Sequence, residues 1–167
     1  MRKMTEENLK AAFAGESQAH VKYLNFSEKA KREGKANVAR LFAAASFAEQ
    51  VHASAHLRVL KGISSTSENL EAAAAGEGFE VDEMYPAYIA VAEAQGEAGA
   101  RGSFSRAMEA EKVHRRLYEH AKEAVDAGKD AGIAAVWVCA ACGYTTDGEV
   151  PDECPLCGAP KERFAEF

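Results

Sequence analysis

Apolar side chains recur along most of this chain at steps of three and four residues, the spacing of one face of an α-helix. Small polar residues or glycines interrupt this pattern at intervals and mark the ends of the helices. The pattern predicts a first helix over residues 5–32 with Thr5 as its N-cap, a second over 36–61 and another over 103–127.

A third helix is predicted to begin at a capping residue, Thr66, and to kink near Asp82 because Pro86 removes a backbone donor. From Val136 onward, glycine, proline, aromatic residues and cysteines replace the helical pattern. We therefore predict two domains, a helical one over residues 1–130 and a small turn-rich one over residues 136–167.

Two of the apolar helix faces carry charged residues in their middle. Glu49 and His52 interrupt the face of the second predicted helix, and Glu111 and His114 interrupt that of the last. Residues three apart share a face, and a carboxylate buried without a partner costs several kcal/mol. Two Glu-x-x-His pairs on facing helices are typical of a carboxylate-bridged pair of iron or manganese ions.

An internal repeat relates the two pairs. Residues 5–16 and 66–77 match at nine of twelve positions, 61 residues apart, and the Glu-x-x-His pairs are 62 apart. The chain thus contains two copies of a helical hairpin, each with one Glu on its first helix and Glu-x-x-His on its second. The predicted ligands are Glu16, Glu49, His52, Glu77, Glu111 and His114.

One position breaks the symmetry of the repeat. Glu80 lies three residues after Glu77, whereas Ala19 follows Glu16 at the same spacing. Glu80 either lies at the edge of the face in solvent or gives one metal ion an alternative ligand. Two tyrosines at comparable places, Tyr23 and Tyr85, either donate hydrogen bonds to ligating carboxylates or pack in the core. His20 and His56, one turn beyond Glu16 and His52, are either outer-shell partners of the ligands or, as we favour, structural or surface residues.

All four cysteines lie in the C-terminal segment, as two Cys-x-x-Cys pairs. This spacing predicts a tetrahedral site with four thiolate ligands, for which iron and zinc are both candidates. Iron is favoured because a dinuclear iron site must be re-reduced in each turnover, whereas zinc would only stabilise the fold. The ligands are Cys139, Cys142, Cys154 and Cys157.

Composition and charge narrow the classes of function. The chain is 47% hydrophobic and 28% charged, with a net charge of −6 and no basic block, which argues against a nucleic-acid partner. Residues 1–7 lack the apolar run of a signal peptide, and no stretch approaches the length of a membrane span. Cysteines spaced for metal binding fit a reducing cytoplasm, where we expect the protein.

The order of these motifs resembles the rubrerythrin family over essentially the whole chain. They are Ala-Gly-Glu at 14–16 and 75–77, the two Glu-x-x-His pairs, Glu80, Met-Tyr-Pro at 84–86 and the terminal Cys-x-x-Cys pairs. The resemblance implies a mainly α protein: a ferritin-like four-helix bundle holding a di-iron centre, followed by a rubredoxin-like domain with one iron.

The resemblance also implies roles for the ligands. One iron is held by Glu16 and either His52 or Glu80, which exchange as the oxidation state changes. The other iron is held by Glu77 and His114, and Glu49 and Glu111 bridge the two.

The family reduces hydrogen peroxide to water. Its electrons come from NAD(P)H through a flavoprotein NAD(P)H:rubredoxin reductase, commonly via rubredoxin. Two other functions remain open: a ferroxidase or oxygen reductase, and an iron-storage protein with a structural zinc knuckle at its tail.

The connection between the second and third helices is short. Helices two and three of a ferritin-like bundle are parallel, so their connection must run roughly 30 Å along it. Residues 62–65 with two frayed neighbours reach about 20 Å. Either the bundle is a plain up-down-up-down one, or hairpins from two chains combine. Given the topology of the family, we predict a domain-swapped homodimer.

Overall fold

The chain consists of helices over most of its length and of short strands at its C-terminal end. The computed structural model describes residues 1–133 and 135–167. It divides the chain into two compact units, residues 1–64 and 65–167. The predicted fold class, mainly helical with a small cysteine-bearing strand region at the C-terminus, is confirmed.

The first unit is a hairpin of two helices, α1 over Lys3–Arg32 and α2 over Ala36–Val59. The chain turns at Gly34, whose φ of 70° is one that favours glycine. Helix α1 begins two residues before the predicted Thr5, because the backbone N–H of Glu6 already bonds to the carbonyl of Arg2. Thr5 is therefore within the helix and not its cap.

The two helices of the hairpin approach each other through small residues. Ser27 and Ala30 of α1 are buried, as are three residues of α2 that lie seven apart, Ala39, Ser46 and Ala53. The Ser27 hydroxyl donates to the Ala39 carbonyl at 2.8 Å and ties α1 to α2. The apolar face predicted for α2 is a different one: Leu41 is 68% exposed and Val59 55%. Leu41 and Val59 therefore contribute little to the packing against α1, although Glu49 and His52 on the same predicted face approach Glu16 of α1.

The second unit contains three helices and a π-helical turn. Helix α3 covers Thr66–Phe79, the π-helical turn Glu80–Met84, α4 Tyr85–Ala94 and α5 Ala98–Asp126. Helices α3 and α4 both pack against α5. Helix α5 begins five residues before the predicted Ser103 and accommodates two glycines in its first turns.

Two details at the ends of these helices differ from the sequence prediction. The N-cap of α3 is Ser65 and not Thr66: the Ser65 hydroxyl accepts from the Glu68 N–H, and the Glu68 carboxylate accepts from the Ser65 N–H in return. Pro86 lies in the first turn of α4, where no N–H is needed. The irregularity expected near Asp82 is present, as a π-helical turn.

The C-terminal region is a three-stranded antiparallel sheet. Its strands are β1 over Val136–Cys139, β2 over Thr145–Asp147 and β3 over Phe164–Glu166, in the order β2-β1-β3. Strand β2 contacts α5 of the same unit, where Arg116 bonds Asp147 at 2.9 Å. In the described part of the chain, no helix is both long and apolar enough to cross a membrane.

Candidate metal centres

The first hairpin brings together three of the predicted ligands. Glu16 on α1 and the pair Glu49 and His52 on α2 each place a ligand atom within 4.8 Å of the others. The His52 Nδ1 atom lies 2.9 Å from Glu49 Oε2 and 4.0 Å from Glu16 Oε1. The three-residue spacing on α2 puts both of its ligands on one face, opposite the carboxylate of α1.

The second unit repeats this arrangement with Glu77 on α3 and Glu111 and His114 on α5. The His114 Nδ1 atom lies 2.6 Å from Glu111 Oε2 and 4.0 Å from Glu77 Oε1. The two clusters thus share donor types, helix positions and distances, as the internal repeat predicts. A carboxylate oxygen and an imidazole nitrogen at such spacing are donors that suit iron.

The surroundings of the two clusters differ. The side chain of His52 is 56% exposed, and that of His114 is 28% exposed. In the second unit, burial and the nearby charge of Glu111 raise the pKa of Glu77 to about 7. Glu80 lies outside the close group of three ligands, but burial and the same Glu111 charge raise its pKa too.

Each cluster is accompanied by three aromatic rings at matching positions. Tyr23 packs on Phe26 and Phe42 in the first unit, with ring centroids 6.2 Å away in both cases. In the second, Tyr85 packs on Tyr88 at 6.4 Å and on Phe104 at 6.2 Å. Every member of one trio lies 62 residues before its counterpart in the other, so sequence periodicity alone contained this signal.

The π-helical turn accounts for a change in the spacing of the repeat. Glu77 follows Glu16 by 61 residues, but Tyr85 follows Tyr23 by 62. The second copy therefore contains one additional residue between its ligand and its tyrosine, in the interval that includes the π-helical turn. A π-turn accommodates one residue more than an α-turn, so the aromatic trio keeps its place. Glu80 is the first residue of this turn.

His20, one turn beyond Glu16, has a partner within the hairpin. Its Nδ1 lies 2.9 Å from the Ser46 carbonyl oxygen, and the Ser46 hydroxyl donates to the His20 carbonyl at 2.9 Å. These bonds join α1 to α2 at a buried serine, in agreement with the structural role expected for His20.

The four cysteines form a third candidate site, with each sulfur within 4.8 Å of the others. The sulfurs of Cys139 and Cys157 are 3.8 Å apart, and those of Cys142 and Cys154 are 3.6 Å apart. Sulfurs bound at 2.3 Å to a tetrahedral metal lie about 3.8 Å from one another, so the cluster fits such an ion. Burial raises the pKa of Cys139, but backbone N–H groups of Ala141 and Cys142 help to lower it overall to about 7.

One class of non-haem iron oxidoreductases is defined by paired Glu and Glu-x-x-His clusters on helical hairpins. In these proteins a four-thiolate module follows the hairpins in sequence. The family model for rubrerythrin matches residues 7–122, and that for the rubrerythrin rubredoxin-like domain matches residues 137–165. The chain belongs to the rubrerythrin family. It carries the ligands of a di-iron centre and of a four-cysteine iron site, and it is an iron-dependent oxidoreductase.

Individual relatives span nearly the whole chain. Rubrerythrin-2 of Clostridium acetobutylicum is 37% identical over 98% of this chain and 97% of its own. Nigerythrin of Nitratidesulfovibrio vulgaris is 36% identical over 98% of this chain and 86% of its own. A structure of nigerythrin in its fully reduced, all-ferrous state matches with a TM-score of 0.58, at 36% identity and the same coverage.

Proposed function

We propose that the protein reduces hydrogen peroxide to water at its di-iron centre, with electrons relayed from NAD(P)H-linked donors through the four-cysteine iron. Each turnover consumes one peroxide, two electrons and two protons and yields two waters. The observation that carries the proposal is the pair of matching Glu/Glu-x-x-His clusters in a chain that also holds a four-thiolate site. Such an arrangement joins a two-electron site to a one-electron site.

We assign the ligands as the family resemblance implies. Glu16 and either His52 or Glu80 would hold one iron, Glu77 and His114 would hold the other, and Glu49 and Glu111 would be shared between them. The bundle domain covers residues 1–130 and the four-cysteine domain residues 136–167. Two ferrous ions bound by these Glu and His ligands would supply the two electrons needed to cleave the O–O bond.

The chain's own residues supply hydrogen-bond donors and protons. Burial and the charges of Glu80, Glu111 and Glu77 raise the pKa of Tyr85, so its hydroxyl stays protonated and can donate to a carboxylate or to peroxide. Tyr23 takes the same place in the first hairpin. Glu77, whose pKa is about 7, holds a proton near neutral pH until a metal displaces it.

A domain-swapped homodimer completes each di-iron centre in this proposal. Six residues, 60–65, separate α2 from α3, and their reach is about 20 Å, whereas the 24 residues of α2 span about 36 Å. Lys61 within this connection has a φ of 58°, which turns the chain and shortens its reach. A parallel return of α3 beside its own α2 is therefore out of reach.

Exposed apolar surface on the first hairpin supports the same assembly. Large apolar side chains on α2 that face away from α1 are between 45% and 68% exposed, an extent that favours burial against another surface. The second hairpin of another chain offers matching ligands. The exposed residues are Val38, Leu41, Phe47, Val51 and Val59.

The electron donor proposed is rubredoxin, a flavoprotein NAD(P)H:rubredoxin reductase, or both in series. Cys157 is the exposed member of the four-thiolate cluster, and the other three are buried or half-buried. One sulfur at the surface gives a docking protein a short path to the metal.

Reoxidation of the reduced protein tests the reaction. Anaerobically reduced protein is mixed in a stopped-flow instrument with peroxide or with O₂, and the thiolate-to-iron absorption is followed. We expect fast return of colour with peroxide and slow return with O₂. Faster return with O₂ would indicate an oxidase or ferroxidase instead, and a colourless protein would indicate a structural zinc knuckle.

The same measurement on Glu80→Gln tests the asymmetric carboxylate. We expect iron content to remain and the peroxide reaction to slow by about tenfold or more, because the amide is a poorer iron ligand than a carboxylate. Glu83→Gln changes an exposed carboxylate in the same π-helical turn and is the matched control. Equal rates for the two variants would remove the role of Glu80.

A further inference from the structure

A hydrogen bond joins the second helical cluster to the cysteine module within one unit. The Nε2 atom of His114, on the side of the ring away from Glu111, lies 2.6 Å from the hydroxyl oxygen of Thr145. Thr145 is the first residue of β2 and only 4% exposed. Its hydroxyl also donates to the Gly143 carbonyl at 3.0 Å.

These two contacts together require a proton on the Nε2 atom of the ring. A threonine hydroxyl has one proton to donate, and that proton is directed to the Gly143 carbonyl. The hydroxyl oxygen must therefore accept from an Nε2–H of His114. In the neutral ring, the form that binds a metal, the lone pair is then on Nδ1, the atom that faces Glu111 and Glu77.

We propose that Thr145 is a positioning residue for His114: it selects the Nε2–H tautomer and holds the ring so that Nδ1 is presented to the metal. Outer-shell partners of this kind orient ligating histidines and raise their basicity. The proposal rests on the proposed function only in taking His114 as a metal ligand.

The partner of Thr145 is itself held by the cysteine module. Gly143 directly follows Cys142, and its N–H bonds to the Cys139 carbonyl at 2.9 Å. The backbone of Thr145 is held by its register with Val138 on β1. One backbone segment and two hydrogen bonds thus connect Cys142 to His114, so the fold around the cysteines helps to hold the His114 ring.

The first hairpin lacks this support. In the described residues of its own unit, the Nε2 atom of His52 has no partner comparable with Thr145, and the side chain is 56% exposed. Within the described residues of one chain, His114 is therefore the histidine with a partner at both ring nitrogens, whereas His52 has one at Nδ1 alone.

Zinc binding to metal-free helical clusters, in protein whose cysteines already hold zinc, tests the positioning role without any turnover. The variants are Thr145→Val, which removes the hydroxyl at nearly constant volume, and Thr145→Ser, which restores it. Thr146→Val, the next residue of the same strand, is the control. We expect Thr145→Val to weaken zinc binding by about 10- to 100-fold, and the other two to bind like the unmodified protein.

A second readout uses the unmodified protein alone. In long-range ¹H–¹⁵N spectra of zinc-loaded, ¹⁵N-labelled protein, His114 should carry its ring proton on Nε2, with Nδ1 bound to zinc. A ring proton on Nδ1 would overturn the proposal even if Thr145→Val failed to fold, as would unchanged zinc affinity in that variant. Both readouts are independent of peroxide, so failure of the peroxidase reaction would leave them interpretable.

Discussion

At the residue scale, the carboxyl group of Glu77 links metal binding to pH. Burial and the charge of Glu111 raise its pKa to about 7 in the metal-free protein, so the carboxyl group is mostly protonated at pH values below 7. A metal ion must displace this proton to bind the carboxylate. Metal affinity at the helical clusters should therefore rise as the pH increases towards 7.

Calorimetry in buffers of different ionisation enthalpy measures this proton release, with the cysteines loaded beforehand so that their thiols do not contribute. We expect more protons released per metal at pH 6 than at pH 8. An equal number would show that Glu77 is ionised before the metal arrives. Without metal, the protein should also lose stability as the pH rises from 4.5 to about 7, because only the unfolded carboxyl ionises over that range.

The sequence identified those residues whose role follows from helix periodicity. Glu49 with His52, and Glu111 with His114, stand out because each pair interrupts an apolar face at a spacing of three. Thr145 has no such signal, since its contact with His114 spans 31 residues and depends on how a short strand meets a helix. No rule of spacing relates a strand in a turn-rich module to a helix face.

At the element scale, the sequence located the irregularity of the third helix but not its nature. Pro86 predicts a disturbance one turn earlier, and the π-helical turn lies there. The change of repeat spacing from 61 to 62 residues was also visible in the sequence. Only the equivalent packing of the two aromatic trios shows that it corresponds to one extra residue in the second copy. Tyr85 lies as far from Phe104 as Tyr23 does from Phe42, 6.2 Å between ring centroids, so the extra residue leaves this contact unchanged.

The contribution of the α3 N-cap to the stability of the protein can be tested with a single substitution. Ser65→Ala removes the hydroxyl that accepts from the Glu68 N–H and should destabilise the protein by about 1 kcal/mol. Ser103→Ala, at an exposed position inside α5, is the matched control and should leave stability unchanged or slightly increased. Denaturant unfolding of both variants measures the difference, and equal midpoints would mean that the cap contributes nothing.

At the scale of the whole molecule, the two-copy organisation was predictable from the repeat, whereas the proposed swapped assembly rests on the length of one connection. Repeated motifs identify the two equivalent hairpins, but they do not show whether both hairpins of one di-iron centre come from the same chain. The connection of residues 60–65 favours hairpins from two chains, as does the exposed apolar surface of α2.

Complementation between two inactive chains separates a swapped dimer from an unswapped one. One chain carries Glu49→Ala in its first hairpin and the other Glu111→Ala in its second, with different tags for isolating the mixed dimer. In a swapped dimer both lesions meet in one centre, and the other centre is intact. We expect one di-iron centre per mixed dimer, measured as iron content and peroxide-driven reoxidation.

The reciprocal pairing provides the control. A chain with both substitutions is combined with an unmodified chain. A swapped dimer then has a lesion in each centre and binds little iron, whereas an unswapped one retains one complete centre. Iron in the second mixture but not in the first would contradict the swap.

The extra residue in the second hairpin distinguishes two copies that otherwise match, which bears on the evolutionary origin of the chain. Two hairpins with the same ligands and aromatic trios point to duplication of a single ancestral segment, whose product would have built a symmetric centre from two identical halves. A one-residue difference in length, in the interval that includes the π-helical turn, and a carboxylate at its first position, Glu80, then distinguish the copies. On that history, the two metal positions differ because the two copies diverged, and Glu80 is a carboxylate that only the second copy offers.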